Sequence, residues 1–258
     1  MSYIKYNECV VQVNDQKVFA VEASISNVSN IATSKIYGGG FREYSASSQI
    51  DATMNIQYYT TGKNDFIAEL TGNNSCSGSF GGIEFSGAYL NNYQINMEPY
   101  KPVTHTASFT MYSGFNGLVK TGGFEEDPGE LANSAYTELI NFNKNSIGID
   151  FPKSINYSIN CTRVPSYIIG SEFPRYVTLT SISKKMRIEG ENIGDLIKFT
   201  GKKSAYLSIS PRNIDYEARG KELSCLGMIK NQNLGMSKNS VLNGDIEVEE
   251  EFLWWKVF

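Results

Sequence analysis

Apolar and polar residues alternate with a period of two along several stretches of this chain, the spacing of a strand with one buried and one wet face. The pattern is clearest over residues 48–59. There Ile50, Ala52, Met54, Ile56 and Tyr58 share one parity, and Asp51, Thr53, Asn55 and Gln57 share the other. Thr104 to Tyr112 repeats it, with Thr106, Ser108 and Thr110 set against Ala107, Phe109 and Met111. Ile155, Tyr157 and Ile159 do so again, and Val177, Leu179 and Ser181 alternate with Thr178 and Thr180. Near the start, Val10–Val13 and Val18–Val21 flank Asn14-Asp15, which predicts a hairpin. Helical spacing is scarce. Lys63 to Leu70 fits a short helical turn through Phe66, Ile67 and Leu70. Leu131, Ala135, Leu139 and Phe142 predict one substantial helix over 129–143, opened by Asp127-Pro128-Gly129-Glu130.

The strands carry an ordered echo. Ile36, Gly38, Phe41, Tyr44, Ile50, Met54 and Ile56 recur as Ile168, Gly170, Phe173, Tyr176, Ile182, Met186 and Ile188, all at one offset. Later, Leu90, Ile95, Met97, Val103, Ala107 and Phe109 find counterparts at Ile229, Leu234, Met236, Leu242, Ile246 and Val248, the offset having grown as loop insertions would make it. A repeat this long is no solenoid unit; it predicts a tandem copy of a whole domain. The expected division is a first β domain over 1–113, a linker with the helix over 114–147, and a second β domain over 148–258. Two similar units in one chain suit a pseudosymmetric ring, because each chain then fills two equivalent places.

Composition fits this reading. The chain has 258 residues, enough for two domains, and 41% hydrophobic against 19% charged residues mark it as globular. Sixteen Tyr, fourteen Phe and 23 Gly favour strands and turns. A net charge of −4 argues against a protein that grips nucleic acid phosphates. It is compatible with a surface past which DNA slides. The start lacks a basic segment followed by an apolar run, and no stretch has the roughly 20 apolar residues of a membrane helix. The expectation is a protein made in a cytoplasm, with no membrane partner.

Catalytic equipment is not visible. Cys9, Cys76, Cys161 and Cys225 are scattered without a Cys-x-x-Cys pair, so they read as small buried residues and no metal site is expected. His105 is the one histidine, and no Gly-x-Ser-x-Gly elbow accompanies it. It is expected on the polar side of its strand, facing solvent. Gly38-Gly39-Gly40 lacks the Gly-Lys-Ser/Thr ending of a phosphate loop, and Glu125-Glu126-Asp127 lacks EF-hand spacing. No catalytic residue, no cofactor and no enzyme activity are therefore expected. Two features remain. Glu247 and Glu249 alternate with Ile246 and Val248, which fits either an ordinary wet strand face or the acidic lining of a channel that keeps phosphates from adhering. Trp254, Trp255 and Phe258 make a terminus apolar enough to be docked, on its own domain or a neighbouring subunit.

Tyr89-Leu90-Asn91-Asn92-Tyr93-Gln94-Ile95-Asn96-Met97-Glu98-Pro99, followed by Pro102-Val103 and Thr106-Ala107-Ser108-Phe109, resembles the closing strands of bacteriophage tail-tube-fold proteins. The placing of Ile36-Tyr37-Gly38 before a Ser-rich strand is similar to theirs as well. The second half departs in having Lys238 and Val241 where the first has Pro99 and Pro102. The resemblance implies a mainly β fold of two tandem tail-tube-like β-sandwich or half-barrel domains with one or two short helices. It implies a virion structural protein of a phage tail (tube, tube initiator or baseplate hub) that forms a ring around the DNA channel. The implied partners are further copies of itself in a trimeric pseudo-sixfold ring rather than a hexamer, neighbouring tail proteins, and passing DNA without specific binding. The alternative is a β-sandwich module for carbohydrate or a host surface, with Tyr58, Tyr59 or Tyr100 stacking on sugars.

Overall fold

The computed structural model describes residues 10–29, 32–35, 43–46, 50–61, 65–119, 130–140, 151–191, 204–213, 215, 222–235 and 243–253. The hairpin at the start forms from β1 (Val11–Val13) and β2 (Gln16–Val18). Asn14 and Asp15 join them at φ 48° and 63°, the doubly left-handed turn whose twist matches that of paired strands. Next come β3 (Ala20–Ser29), β4 (Ala32–Lys35), β5 (Glu43–Ala46) and β6 (Ile50–Tyr59), then a 3-10 turn at Asp65–Glu69 in place of the predicted helical turn. β7 (Cys76–Phe80), β8 (Ile83–Met97), β9 (Thr104–Met111) and β10 (Phe115–Asn116) complete the first half. The second runs through β11 (Glu138–Ile140), β12 (Phe151–Ser166), β13 (Tyr176–Glu191), β14 (Ser204–Ser210), β15 (Leu223–Gly235) and β16 (Asn243–Leu253). The protein is mainly β. One large antiparallel sheet of 14 strands runs through it without closing, and β4 and β5 form a separate ribbon.

The pairing order recurs along the chain. β3 pairs β6, β6 pairs β9, β9 pairs β8 and β8 pairs β7; later β12 pairs β13, β13 pairs β16, β16 pairs β15 and β15 pairs β14. Registers recur too. Met54 lies between Ile25 and Phe109, and Met186 lies between Tyr157 and Val248. The β3–β6 ladder slips between Ala20 and Glu22, and the β12–β13 ladder slips between Pro152 and Ser154. β8–β9 slips between Leu90 and Asn92, and β15–β16 between Ile229 and Asn231. Ser34 faces Tyr44 as Ser166 faces Tyr176. Bulges are defined features of a strand's path, so their recurrence says more than a shared order of strands. Of the echoed residues, Met54, Ile56, Met186 and Ile188 are all fully buried. Ile36, Gly38 and Phe41 lie outside the described residues, as does the Gly38–Gly40 loop.

Alternation becomes burial as expected. Along β9 every second residue is buried over the whole strand, and one hydrophobic cluster follows the sheet from Val11 to Val248. Two expectations are corrected. The helix over 129–143 is absent from its described part, which holds a 3-10 turn at Ser134–Tyr136 and β11. Its backbone is used elsewhere: Ala132 N donates to Thr60 O at 2.9 Å, Val103 N to Ala132 O at 3.1 Å, and Asn133 N to Arg212 O at 3.0 Å. Groups bonded across the fold cannot also close helical turns. His105 is the second correction. It is 1% exposed, because it shares parity with the buried Val103, Ala107 and Phe109 rather than with its polar neighbours.

The turn offers a direct check. Asp15→Val puts a β-branched residue at positive φ and is expected to lower stability by about 1–2 kcal/mol, whereas Asp15→Gly is expected to cost nothing. Thermal melts of the two variants read this. A valine variant as stable as the parent would contradict the left-handed turn.

Candidate functional site: a polar sheet face and two free strand edges

The strand β8 is 15 residues long, more than its hairpin partner needs. β9 covers one edge from Ala88 to Asn96. The other edge is divided: β7 takes Ile83 to Ala88, and β12 takes Asn92 to Met97. This β8–β12 seam joins the two recurring strand sets into one sheet. On its buried side Met97, Ile95 and Tyr93 lie opposite Ile155, Tyr157 and Ile159; on the other side Asn96, Gln94 and Asn92 lie opposite Asn156, Ser158 and Asn160. Asn92 Nδ2 donates to Asn160 Oδ1 at 2.5 Å, and Asn156 Nδ2 donates to Asn96 Oδ1. Arg163 reaches back from β12 over the first half. Its guanidinium carbon sits 5.2 Å from the Tyr89 ring centre, and an Nη donates to Gly72 O at 2.8 Å.

The face opposite the core is polar across this seam. On the first-half side it is mostly amide and hydroxyl, with Glu22 opposite Gln57 and Asp51 opposite Val28: Ser26 and Thr53 are bonded at 2.8 Å, Ser108 donates to Asn55 at 2.7 Å, and Asn91 donates to Thr110. On the second-half side it is charged in both signs. Glu247 lies opposite Arg187, and Glu249 lies opposite Lys185. Lys185 Nζ is 3.4 Å from Glu249 and 4.0 Å from Glu247; Lys230 Nζ is 3.3 Å from Glu249; Arg187 is 3.1 Å from Glu189 and 3.4 Å from Asp245. Partial burial raises the Glu249 carboxyl, but bonds from Lys230 and Lys185 outweigh it and hold the group below the usual range. Glu247 and Glu249 thus share one face, as their parity predicts, but with basic partners beside them. Such half-exposed pairs contribute little stability, about 0–1 kcal/mol each. What they determine is a surface whose basic side chains are all paired, Lys185, Arg187 and Lys230 lying among Glu189, Asp245, Glu247 and Glu249.

Among the described residues the short strands β2, β10 and β11 pair on one side only, and so do two longer stretches, one in each recurring strand set. β3 pairs on one side only, with β6. β15 is flanked by β14 up to Met228, and from Ile229 to Gly235 it pairs only with β16. Both edges carry exposed apolar side chains, Val28 at 55% and Leu234 at 45%. Beyond these sheets β12 and β13 run on alone as a two-stranded arm from Thr162 to Ser166 and from Tyr176 to Thr180. Its tip exposes Tyr167, Ile168, Ile169 and Phe173, turning at Gly170 with φ 87°.

Chemically the remaining groups are quiet. His105 Nδ1 is 2.6 Å from the Tyr93 hydroxyl, Nε2 is bonded to Thr60 Oγ1, and the ring stacks on Tyr58 at 4.8 Å. Burial lowers its pKa to about 3, so the ring is neutral at pH 7. Cys76, Cys161 and Cys225 are buried free thiols, pushed up by burial, to about 11 for Cys76 and about 12 for Cys225. They are poor nucleophiles. Among the described residues no group of three His, Cys, Asp or Glu could hold a metal, and no helix is long and apolar enough to cross a membrane. A cleft of about 360 Å³ at the foot of the seam is lined by Met97, Glu98, Tyr100, Ser134, Lys153 and Ile155, without a nucleophile and base in contact. Of the tyrosines proposed for sugar stacking, Tyr58 is fully buried against His105, Tyr59 is half-buried, and Tyr100 is exposed alone on a turn. Trp254, Trp255 and Phe258 lie outside the described residues, as do Cys9 and Glu125–Asp127. Sequence reading passed over the amide ladder and Arg163. The shared parity of Asn92, Asn96, Asn156 and Asn160 was the available signal for the ladder.

No protein-family model matches the chain, and no curated protein matches it.

Burial of neutral His105 predicts acid sensitivity. Above pH 6.5 the ring is neutral in both folded and unfolded chains and stability is unaffected. As pH falls from 6.5 toward 3 the unfolded chain gains a proton that the folded one refuses, so stability falls by up to about 1.4 kcal/mol per unit. Denaturant titrations across pH 7.5 to 4 should show this decline, reduced in His105→Asn. An identical decline in that variant would assign it to other groups.

Proposed function

We propose that this chain is a structural protein of a phage tail, built of two tandem tail-tube-like units, whose copies assemble into a ring around the DNA channel. Three chains would supply six units. The observation that carries this reading is the seam: two strand sets with the same pairing order are already joined side by side, and the outermost edges stay open. Strand edges are templates for further pairing, and a closed ring removes them. In this reading the polar face is the channel lining. Amide and hydroxyl sectors and a paired sector with a small excess of acids offer passing phosphates no net attraction, and Glu247 and Glu249 act by holding Lys185 and Lys230 in check rather than as a bare acidic wall. The exposed arm tip is the part available for docking neighbouring rings or other tail proteins.

Mass measurement of the purified chain at high concentration tests the reading. The expected species is three times the 28.7 kDa chain, seen as a ring by electron microscopy. A chain that stays monomeric, alone and with its neighbouring tail proteins, would exclude it. The lining has its own test. Replacing Glu247 and Glu249 together by Lys is expected to leave assembly intact and to give salt-sensitive retention of DNA that the parent lacks. Equal DNA retention by parent and variant would remove this face from the channel.

A further inference from the structure

We infer that the two free edges join each other between copies: residues 231–235 of β15 pair antiparallel with residues 24–28 of β3 in the next copy, with Leu234 opposite Ile25 and Gln232 opposite Asn27. This rests on the ring reading and adds the partner and register of its joint.

The chain carries its own template for this contact. At the seam, β8 receives β12 with Ile95 opposite Tyr157 and Tyr93 opposite Ile159. In the recurring pattern β15 stands where β8 stands, and β3 stands where β12 stands. The shared bulges fix the correspondence to the residue. Leu90 lies opposite Phe109 just before the slip in β8, and Ile229 lies opposite Val248 just before the slip in β15. Counting on, Leu234 and Gln232 take the places of Ile95 and Tyr93. Ile25 faces Met54 as Tyr157 faces Met186, so Ile25 and Asn27 take the places of Tyr157 and Ile159.

Side-chain chemistry agrees with that register. Where the seam has two apolar residues, Tyr93 and Ile159, both partners have changed to amides, Gln232 and Asn27. Gln232 Nε2 is shielded from water and has no hydrogen-bond partner among the described residues, while Asn27 is exposed. A shielded amide without a partner is costly, and an opposed amide satisfies it. Leu234, 45% exposed, would be covered by the half-buried Ile25. On the polar face Ser26 meets Asn233 and Val28 meets Asn231. The contact is head-to-tail, the type that closes into a ring when its rotation allows.

The test uses the full chain with Asn27→Cys and Gln232→Cys together, oxidised with glutathione disulfide under conditions where it assembles. Disulfide-linked multimers on a non-reducing gel are expected. Asn27→Cys with Asn233→Cys should give none, because a one-residue shift sends the two side chains to opposite faces. The native thiols at 76, 161 and 225 are buried and contribute little background, and Cys9 is replaced by Ser in every variant. If rings form and the 27/232 pair crosslinks no better than the 27/233 pair, the register is wrong and the ring reading stands. If no variant or parent associates at any concentration, both fall. Leu234→Lys, at a half-exposed edge position, is expected to weaken association at least tenfold while the monomer melts as before; unchanged association would also overturn the joint.

Discussion

Every backbone N–H and C=O along a strand needs a partner, and in an open sheet the two outermost edges cannot both find one within the chain. The organisation of this protein follows from where that need is met and where it is left. β8 runs well past the five residues of β7, so it accepts β7 over one stretch and β12 over the next. That division welds two strand sets into a single sheet and places their polar residues on one continuous face. Among the edges left open are the outer side of β3 and the last residues of β15.

Around this frame the side chains divide labour by parity. One side of each strand supplies the core, from Met54, Ile56 and Phe109 to Met186, Ile188 and Val248. The other side is held flat by amide and hydroxyl pairs in the first half and by cross-strand ion pairs in the second. The difference matters for chemistry. Amide pairs carry no field beyond their own dipoles, whereas Lys185, Arg187 and Lys230 would draw phosphates strongly were Glu247, Glu249 and Asp245 not beside them. The acids and bases of this face are better understood as one paired layer with a small excess of acids than as separate sites.

Much of this was legible in the sequence. Period-two alternation located β6, β9 and β12, and the echoed residues located the recurring registers, since a strand's buried parity is written directly into its order of residues. Two readings failed for physical reasons. Leu131, Ala135 and Leu139 have helical spacing, yet Ala132 and Asn133 give their backbone groups to Thr60, Val103 and Arg212, and tertiary bonding overrode the local pattern. His105 was placed by its chemical character instead of its parity, although Val103 and Ala107 on either side already put it in the core. The seam itself was not readable, because it depends on the length of β8 exceeding that of β7, and alternation alone does not tell which neighbour a strand edge takes.

A joint built into the chain has a counting consequence. Each copy contributes two strand sets already fused at β8 and β12, so any closed circle made from it contains an even number of sets. Fivefold or sevenfold arrangements of sets are forbidden by connectivity alone, whatever the strength of the contacts. Half the joints of such a circle are also formed by folding and are independent of concentration; dilution acts only on the other half.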